Sequence, residues 1–315
     1  MQVRILLVAV VFSFIFLSKT SADNSPYQNL RFQESGRSSA LAGAFVSMPD
    51  DAGAVFYNPA SVATMTEKRA HATFLSHVSD IVSGIAIYSI KLDENDPQTF
   101  GFSVGYTNYG TFDARDKFGG DMGTFNASDL NFGVTYSNVL DSNFYYGVTA
   151  RFLYFGIENS SSSAMTIDAG LLYMIPDKRT NIGFSILHSG FQISQFEGYS
   201  EPLPLDIRLG VNHRLEGLPL LINFNFHHLA DQQDTFFERF GNFSVGGELI
   251  IGKYVRPRIG YNNEIRTDAA PSTDKKLSGF SFGLGIITKS FNIDYGLAQI
   301  GTASTLHRFS LTMDI

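Results

Sequence analysis

Two pentapeptides in this chain match the nucleophile-elbow pattern of serine hydrolases. They are GFSVG at 101–105 and GFSFG at 279–283. That chemistry requires a sharp turn from a strand into a helix, which exposes the serine above a sheet. Both pentapeptides instead lie inside stretches that alternate like strands, with Ser103 and Ser281 on the side of the small residues. The sequence therefore favours structural serines, and we predict that the protein is not an enzyme.

Four histidines have spacings that could suggest metal ligation, namely the adjacent pair His227 and His228 and the pair His71 and His77. Adjacent side chains in a strand point to opposite faces. His227 and His228 should therefore not chelate one ion together unless a bulge intervenes. A structural role is the favoured interpretation for all four. The sequence predicts no metal and no cofactor.

The elements that must position these residues are fourteen stretches, from Ala70 to the end of the chain, in which large apolar side chains alternate with small or polar ones. In the clearest stretch, Phe100, Phe102, Val104 and Tyr106 share one face of a strand. The opposite faces are rich in Gly, Ser, Thr and Asn, and charged residues make up only 17% of the chain, against roughly 25% in soluble domains. This pattern predicts an all-β fold, a 14-stranded antiparallel transmembrane β-barrel with its apolar face in lipid.

The predicted strands span residues 69–77, 81–92, 98–109, 126–137, 144–156, 164–175, 181–193, 204–215, 219–229, 242–251, 254–264, 278–288, 290–298 and 306–315. Short turns and long connections alternate between them, as in outer-membrane barrels. We expect the long loops at 110–125, 194–203, 230–241 and 265–277. The last strand alternates up to Ile315 and should pair with the first, which would leave no open sheet edge.

The first residues read as a secretory signal peptide over 1–22, because an apolar run follows Arg4 and is too short to span a bilayer. The chain has no cysteine, so no disulfide or lipidated thiol is expected. Its formal net charge of −7 argues against nucleic acid as a partner, since phosphate contacts need clustered Lys and Arg.

Residues 23–68 lack the period-two pattern and are dense in Gly, Ala and Ser. We predict that this segment is a plug inside the lumen, preceding a barrel at 69–315. Within it, Asp50 and Asp51 could attract a cation, but two carboxylates fall short of the roughly six to eight oxygens that Ca²⁺ takes. Capping of a helix or turn is favoured for this pair.

Charged residues in the predicted strands mostly fall out of phase with the large apolar ones, and should therefore face the lumen and pair across it. A bracing lattice of salt bridges is favoured over a substrate pathway. The residues are Arg151, Asp168, Asp206, Arg208, Glu248, Arg256, Arg258 and Asp294.

The N-terminal segment carries a recognisable pattern. Gly36–Ala44, followed by Asp50-Asp51-Ala52 and Asn58-Pro59-Ala60, resembles the corresponding segment of the long-chain fatty-acid channel superfamily, particularly its PorV/PorQ branch. The blocks 123–129, 201–210 and 218–224 are most similar to PorQ-type members. The resemblance implies a bacterial outer-membrane barrel of the type IX secretion system, with Asp50, Asp51, Asn58, Pro59 and Ala60 as a structural plug motif.

Two functions follow from this resemblance. The first is docking or surface attachment of a partner protein by the outer loops. Exposed aromatic residues often anchor interfaces, and Phe236, Phe237 and Phe240 in loop 230–241 are the candidate docking residues. The expected partners are outer-membrane lipid and a surface protein of the secretion or attachment complex. The alternative is a channel for uptake of hydrophobic small molecules such as fatty acids, which would need an apolar pocket between plug and wall.

Overall fold

The protein was studied as a computed structural model, which describes residues 27–32, 35–77, 81–92, 97–176, 179–196, 198, 200–268, 276–301 and 304–315. The predicted signal peptide at 1–22 lies outside the described residues. No helix in the described ranges is both long and apolar enough to cross a membrane.

Fourteen strands form one closed antiparallel barrel, in which each strand pairs with its neighbours in sequence. The first and last strands close the barrel, with Arg69 opposite Asp314 and Ser76 opposite His307. The fold class predicted from alternation is confirmed. The strands are β1 Arg69–Ser76, β2 Val82–Lys91, β3 Thr99–Arg115, β4 Asp121–Asp141, β5 Phe144–Ile157, β6 Ser160–Ile175, β7 Thr180–Ser194, β8 Asp206–Arg214, β9 Leu220–Phe226, β10 Phe243–Leu249, β11 Val255–Asn262, β12 Phe280–Ile287, β13 Phe291–Gln299 and β14 Thr305–Asp314.

The large apolar side chains of the wall point outward. Phe102, Ile259 and Phe282 are each 40–52% exposed, whereas Ser103 and Ser281 on the opposite face are buried. A soluble protein would not leave such a continuous apolar band in water. The outward face is therefore the lipid face of a transmembrane barrel, and the small polar residues line its interior.

The ends of the barrel differ in the length of their connections. The rim of the barrel at which β1 begins and β14 ends is here called the terminal rim. The opposite rim is called the loop rim. Five of the connections at the terminal rim are short, including 142–143 and 288–290, whereas the loop rim carries 227–242 and 263–279. The connection 263–279 begins with an α-helix, Asn263–Asp268 (α2 in the order of the chain).

The prediction of a loop at 110–125 was wrong, because β3 and β4 continue as a hairpin beyond the neighbouring strands. Phe112 pairs with Phe125, and their rings stack at 5.3 Å. Asp116 closes the turn by accepting hydrogen bonds from the backbone N–H groups of Phe118 and Gly120, each at 2.8 Å. Outside the lipid layer both faces of the hairpin meet solvent, so the apolar alternation that marks a strand is lost.

The N-terminal residues lie inside the barrel. They form the α-helix Gly36–Ala40 (α1) and 3₁₀ helices at Gln28–Phe32, Ala52–Phe56 and Pro59–Thr64. Residues 35–65, here called the inner segment, pack against inward glycines of the wall. A Cβ added at Gly260 would lie 2.5 Å from the backbone N of Ala42, and one at Gly246 would lie 2.9 Å from Cβ of Leu41. Glycine on the inner face lets the two backbones approach this closely.

Candidate functional site

The residues of the predicted plug motif anchor the inner segment. Asn58 is fully buried, and its Nδ2 donates to the carbonyls of Val46 at 2.9 Å and Leu171 at 2.8 Å. Its Oδ1 accepts from the backbone N of Ala60 at 3.1 Å, which caps the 3₁₀ helix that starts at Pro59. One side chain thus holds two stretches of the inner segment to each other and to β6.

The two aspartates of the motif lie toward the terminal rim and do not share a cation site. Asp51 caps the 3₁₀ helix Ala52–Phe56, accepting from Gly53 N at 2.9 Å, and also binds Arg37 at 3.0 Å. Asp50 turns away and pairs with Arg69 of β1 at 2.9 Å. Each carboxylate therefore already has a cationic partner within the protein.

Arg37 of α1 also joins the inner segment to the charged residues of the wall. Its guanidinium binds both oxygens of Glu248 at 2.9 Å. Arg258 in turn bonds Glu248 and Asp294, each at 2.6 Å. The second of these contacts crosses β12 at Gly285, where a Cβ would lie 2.5 Å from an Arg258 nitrogen.

The predicted lumen charges pair along the wall, and not across an open lumen as expected. Arg151 binds Asp168 of the neighbouring strand at 2.6 Å, and Arg208 binds Asp206 of its own strand at 2.6 Å. Arg256 is an exception, because it lies near the terminal rim and donates to backbone carbonyls. The inner segment fills the space that cross-lumen pairs would need.

A cavity of about 460 Å³ opens toward the loop rim above the inner segment. It is here called the apolar cavity. Leu75 of β1 and Ile85 of β2 line one side, and Phe32 from the first 3₁₀ helix lines another. Several polar groups in its lining are paired: the Tyr109 hydroxyl donates to Asp129 at 2.8 Å, and Ser83 hydrogen bonds His77 and Thr107. This size, with mostly apolar walls and few polar groups, is typical of pockets for small molecules.

The helix Gln28–Phe32 is held in place from two sides. Tyr27, just before it, hydrogen bonds Ser162 of β6 at 2.5 Å. Arg31 forms a two-point ion pair with Asp231 in the connection 227–242, at 2.6 and 2.9 Å. Phe32 nevertheless stays 46% exposed, because its ring faces the cavity. The helix thus presents an apolar ring to a cavity while its neighbours fix its position.

A second cavity of about 430 Å³, here called the polar cavity, shares Gln28 and Phe32 with the first. His227, His228 and Glu264 of α2 lie on its wall. Burial lowers the pKa of His227. Burial alone would raise the pKa of Glu264, but the neighbouring histidines outweigh it and hold that pKa below its ordinary range.

The expectation that His227 and His228 face opposite ways was wrong. Strand β9 ends at Phe226, earlier than the predicted residue 229, and His228 has a left-handed backbone with φ of 52°. Both rings consequently reach Glu264, at 2.9 Å from His227 and 2.8 Å from His228. The break in alternation directly after Phe226 was the sequence signal for this turn.

The candidate docking aromatics lie at the loop rim, where Phe236 directly precedes the 3₁₀ helix Phe237–Gly241 and the other two belong to it. Phe236 is 67% and Phe237 81% exposed, whereas Phe240 is 38% exposed and packs against Phe226. Their rings contact one another at 5.6–5.7 Å. Two of the three therefore form an apolar projection at the rim.

The remaining motif residues have local partners. Ser103 and Ser281 lie within the regular strands β3 and β12, so neither occupies a strand-to-helix turn. His71 hydrogen bonds Thr312 and Thr73, and His77 hydrogen bonds Ser83. No pair of these residues forms a shared site in the described part of the chain.

A closed fourteen-stranded barrel with an apolar outer band and an occupied interior defines the class, a transmembrane β-barrel. No protein-family profile and no curated protein matches the sequence. Solved structures do match. The TodX deltaS2S3 mutant monoaromatic hydrocarbon channel has a TM-score of 0.61 at 13% identity, over 89% of this chain and 99% of that one.

Two further solved structures share this architecture. A Pseudomonas aeruginosa FadL homologue aligns with a TM-score of 0.54 at 12% identity, over 89% of this chain and 98% of the other. The CymD monoaromatic hydrocarbon channel aligns with a TM-score of 0.57 at 10% identity, over 93% and 99%. The chain therefore has the fold of these channels across nearly their whole length.

Proposed function

We propose that this protein is an outer-membrane channel or receptor for small hydrophobic molecules, such as aromatic hydrocarbons or fatty acids. The observation that supports this proposal most directly is the apolar cavity between the helix Gln28–Phe32 and strands β1 and β2. The structures of similar fold bear names of hydrocarbon channels, which supports the same substrate class. The PorV/PorQ resemblance lies within the same superfamily. Uptake of hydrophobic molecules, which the sequence analysis offered as the alternative function, is the function proposed first here.

The position of the inner segment bears on how such a channel works. The apolar cavity opens at the loop rim, and a separate recess at the terminal rim is lined by Met48 and Pro49 of the inner segment. Residues 35–65 lie between the two. In this proposal they act as the plug, and passage of a bound molecule requires part of the plug to move.

The proposal is tested by binding of a fluorescent long-chain fatty acid to the purified barrel in detergent. We expect saturable binding, weakened about tenfold in Phe32→Ser, which corresponds to about 1.4 kcal/mol. The physical reason is loss of apolar contact from a ring that faces the cavity. Phe32 is half-exposed, so its replacement should leave the barrel folded.

The matched control is Phe118→Ser, the same change at the 85% exposed tip of the β3–β4 hairpin, where the residue is not part of the cavity lining. It should bind like the unaltered protein. Equal binding by the Phe32 variant, or no saturable binding by the unaltered protein, would contradict the proposal.

A second candidate function is docking of a surface protein of the type IX secretion system. The exposed rings of Phe236 and Phe237 at the loop rim favour it. A photo-crosslinker at position 237 in the native host should then capture a secreted protein of that system. We expect Phe236→Ser with Phe240 left in place to reduce capture, while Phe118→Ser does not; unchanged capture would argue against docking at this loop.

A further inference from the structure

Two imidazoles and a carboxylate converge where the connection after β9 meets α2. One oxygen of Glu264, Oε2, lies 2.9 Å from Nε2 of His227 and 2.8 Å from Nδ1 of His228. The three ligand-type atoms all lie within 4.8 Å of one another. The two ring planes are nearly perpendicular, at 87°, so the two ring nitrogens reach Oε2 of Glu264 from different directions.

This donor set suits a divalent transition metal. Zinc binds imidazole nitrogen and carboxylate oxygen at about 2.0–2.2 Å, commonly with three protein ligands and one open position. Tetrahedral ligands at such bond lengths stand roughly 3.3 Å apart. The two nitrogen–oxygen pairs around Glu264 are 2.8–2.9 Å apart and would need to separate by a few tenths of an ångström. The three ligand atoms lie within 4.8 Å of one another, so the ring nitrogens would also need to move toward each other to bind one ion.

Asp206 holds the backbone of His228 and lies near its second ring nitrogen. The backbone N–H of His228 donates to Asp206 at 2.7 Å, and the ring Nε2 lies 3.6 Å from the other carboxylate oxygen. Metal-ligating histidines typically direct the second ring nitrogen to a carboxylate. Arg208 in turn fixes Asp206 at 2.6 Å.

The charge around the cluster also favours a cation. Of the three arginines on the wall of this cavity, Arg31 pairs with Asp231, Arg208 pairs with Asp206, and Arg308 donates to the hydroxyl of Ser39. The ion pairs described for Glu264 are with the two histidines alone. Asp268 adds a further carboxylate to the wall of the same cavity.

We propose that His227, His228 and Glu264 form a binding site for a divalent transition-metal ion of the zinc class. The fourth position would face the polar cavity, where a water molecule or a ligand atom has room. The ion would join the connection 227–242 to α2 at the loop rim. This assignment does not depend on the transport proposal.

The test is equilibrium dialysis of the untagged, purified barrel against Zn²⁺ alone, with metal content measured directly. Cobalt substitution provides a spectroscopic readout, because tetrahedral Co²⁺ absorbs strongly in the visible range. We expect one equivalent of metal per barrel. In His227→Ala and in Glu264→Gln, affinity should fall by more than the roughly 10–100-fold that changes to outer-shell partners cause.

The matched control is His213→Ala, which removes an exposed imidazole at the terminal rim, where the ring bonds only Thr180 among the described contacts. It should retain full metal binding. Heat-modifiable migration on gels verifies that each variant is a folded barrel, and Glu264→Gln preserves side-chain shape. The proposal would be overturned if the unaltered barrel bound no stoichiometric metal, or if the folded His227 and Glu264 variants bound metal equally well. The three residues would then be a hydrogen-bonded contact between the connection 227–242 and α2.

Discussion

At the scale of single residues, the interior of this barrel depends on side chains that satisfy several backbone groups at once. Asn58 does so most completely, since it bonds Val46, Ala60 and Leu171 while fully buried. Buried polar groups are costly when a partner is removed, because the group left behind has no water to replace it. Such a residue fixes geometry more strictly than an apolar one of equal size.

We therefore expect Asn58→Asp to destabilise the barrel by roughly 3–5 kcal/mol, as an uncompensated buried charge does. The change removes two N–H donors and places a carboxylate against two carbonyl oxygens. Denaturant unfolding in lipid vesicles measures this loss. The control is Asn126→Asp, which is exposed and still accepts the hydrogen bond from Thr111; equal stability of the two variants would refute the argument.

At the scale of elements, the inner segment packs closely against inward-facing glycines of the wall. Two adjacent glycines of one strand, which point to opposite faces, show this. In β10, Gly246 faces Leu41 of the inner segment, whereas Gly247 faces outward. A methyl group at Gly246 would meet Cβ and the carbonyl oxygen of Leu41 at 2.9 Å, and neither atom can swing aside. At Gly247 the nearest contacts are ordinary, at 3.7–3.8 Å.

Gly246→Ala should accordingly cost roughly 1–3 kcal/mol, the usual range for overpacking, and should loosen residues 35–65. Gly247→Ala should be close to neutral. Thermal unfolding and limited proteolysis of the inner segment distinguish the two outcomes. Similar protection of the segment in both variants would mean that it does not depend on close approach to the wall.

The wall was predictable from the sequence, whereas the internal geometry of the inner segment was not. Outward residues such as Phe102 and Phe282 alternate with small neighbours because lipid lies on one side, and this fixes strand number and most strand ends to within a few residues. The inner segment has no such periodicity. Its 3₁₀ helices depend on contacts with distant strands, as between Asn58 and Leu171, which no local pattern encodes.

The candidate site shows the same division. The two histidines stood out in the sequence, but Glu264 lies 36 residues from His228 and meets it because β9, β10 and β11 pair and bring both connections to the loop rim. Nothing in the sequence marked Phe32 as a cavity residue, because a single aromatic residue in a non-periodic segment can lie in the core, at the surface or on a cavity wall. Its 46% exposure and its place in the cavity lining set it apart only in the structure.

At the scale of the whole molecule, the outward apolar band sets how the barrel lies in a bilayer. Phe282, near the middle of β12, pairs with Ile259 and Leu297 of the flanking strands. We expect Phe282→Arg to destabilise the protein by roughly 2–4 kcal/mol in lipid vesicles, as a basic residue does at the bilayer midplane. Phe118→Arg, at the hairpin tip, should cost about 0–1 kcal/mol; equal costs would contradict this orientation.

The contacts at the β1–β14 junction have a consequence for biogenesis. Gly36 donates to Ser310 at 2.7 Å, and Arg308 donates to Ser39 at 2.9 Å, so β14 is bonded to the inner segment as well as to β1. Residues from the N-terminal part of the chain thus meet residues 269 and 274 positions later. Pairing of β14 with β1 and its hydrogen bonds to residues 36–39 are therefore coupled, so that β14 completes its contacts only when the inner segment is already within the ring.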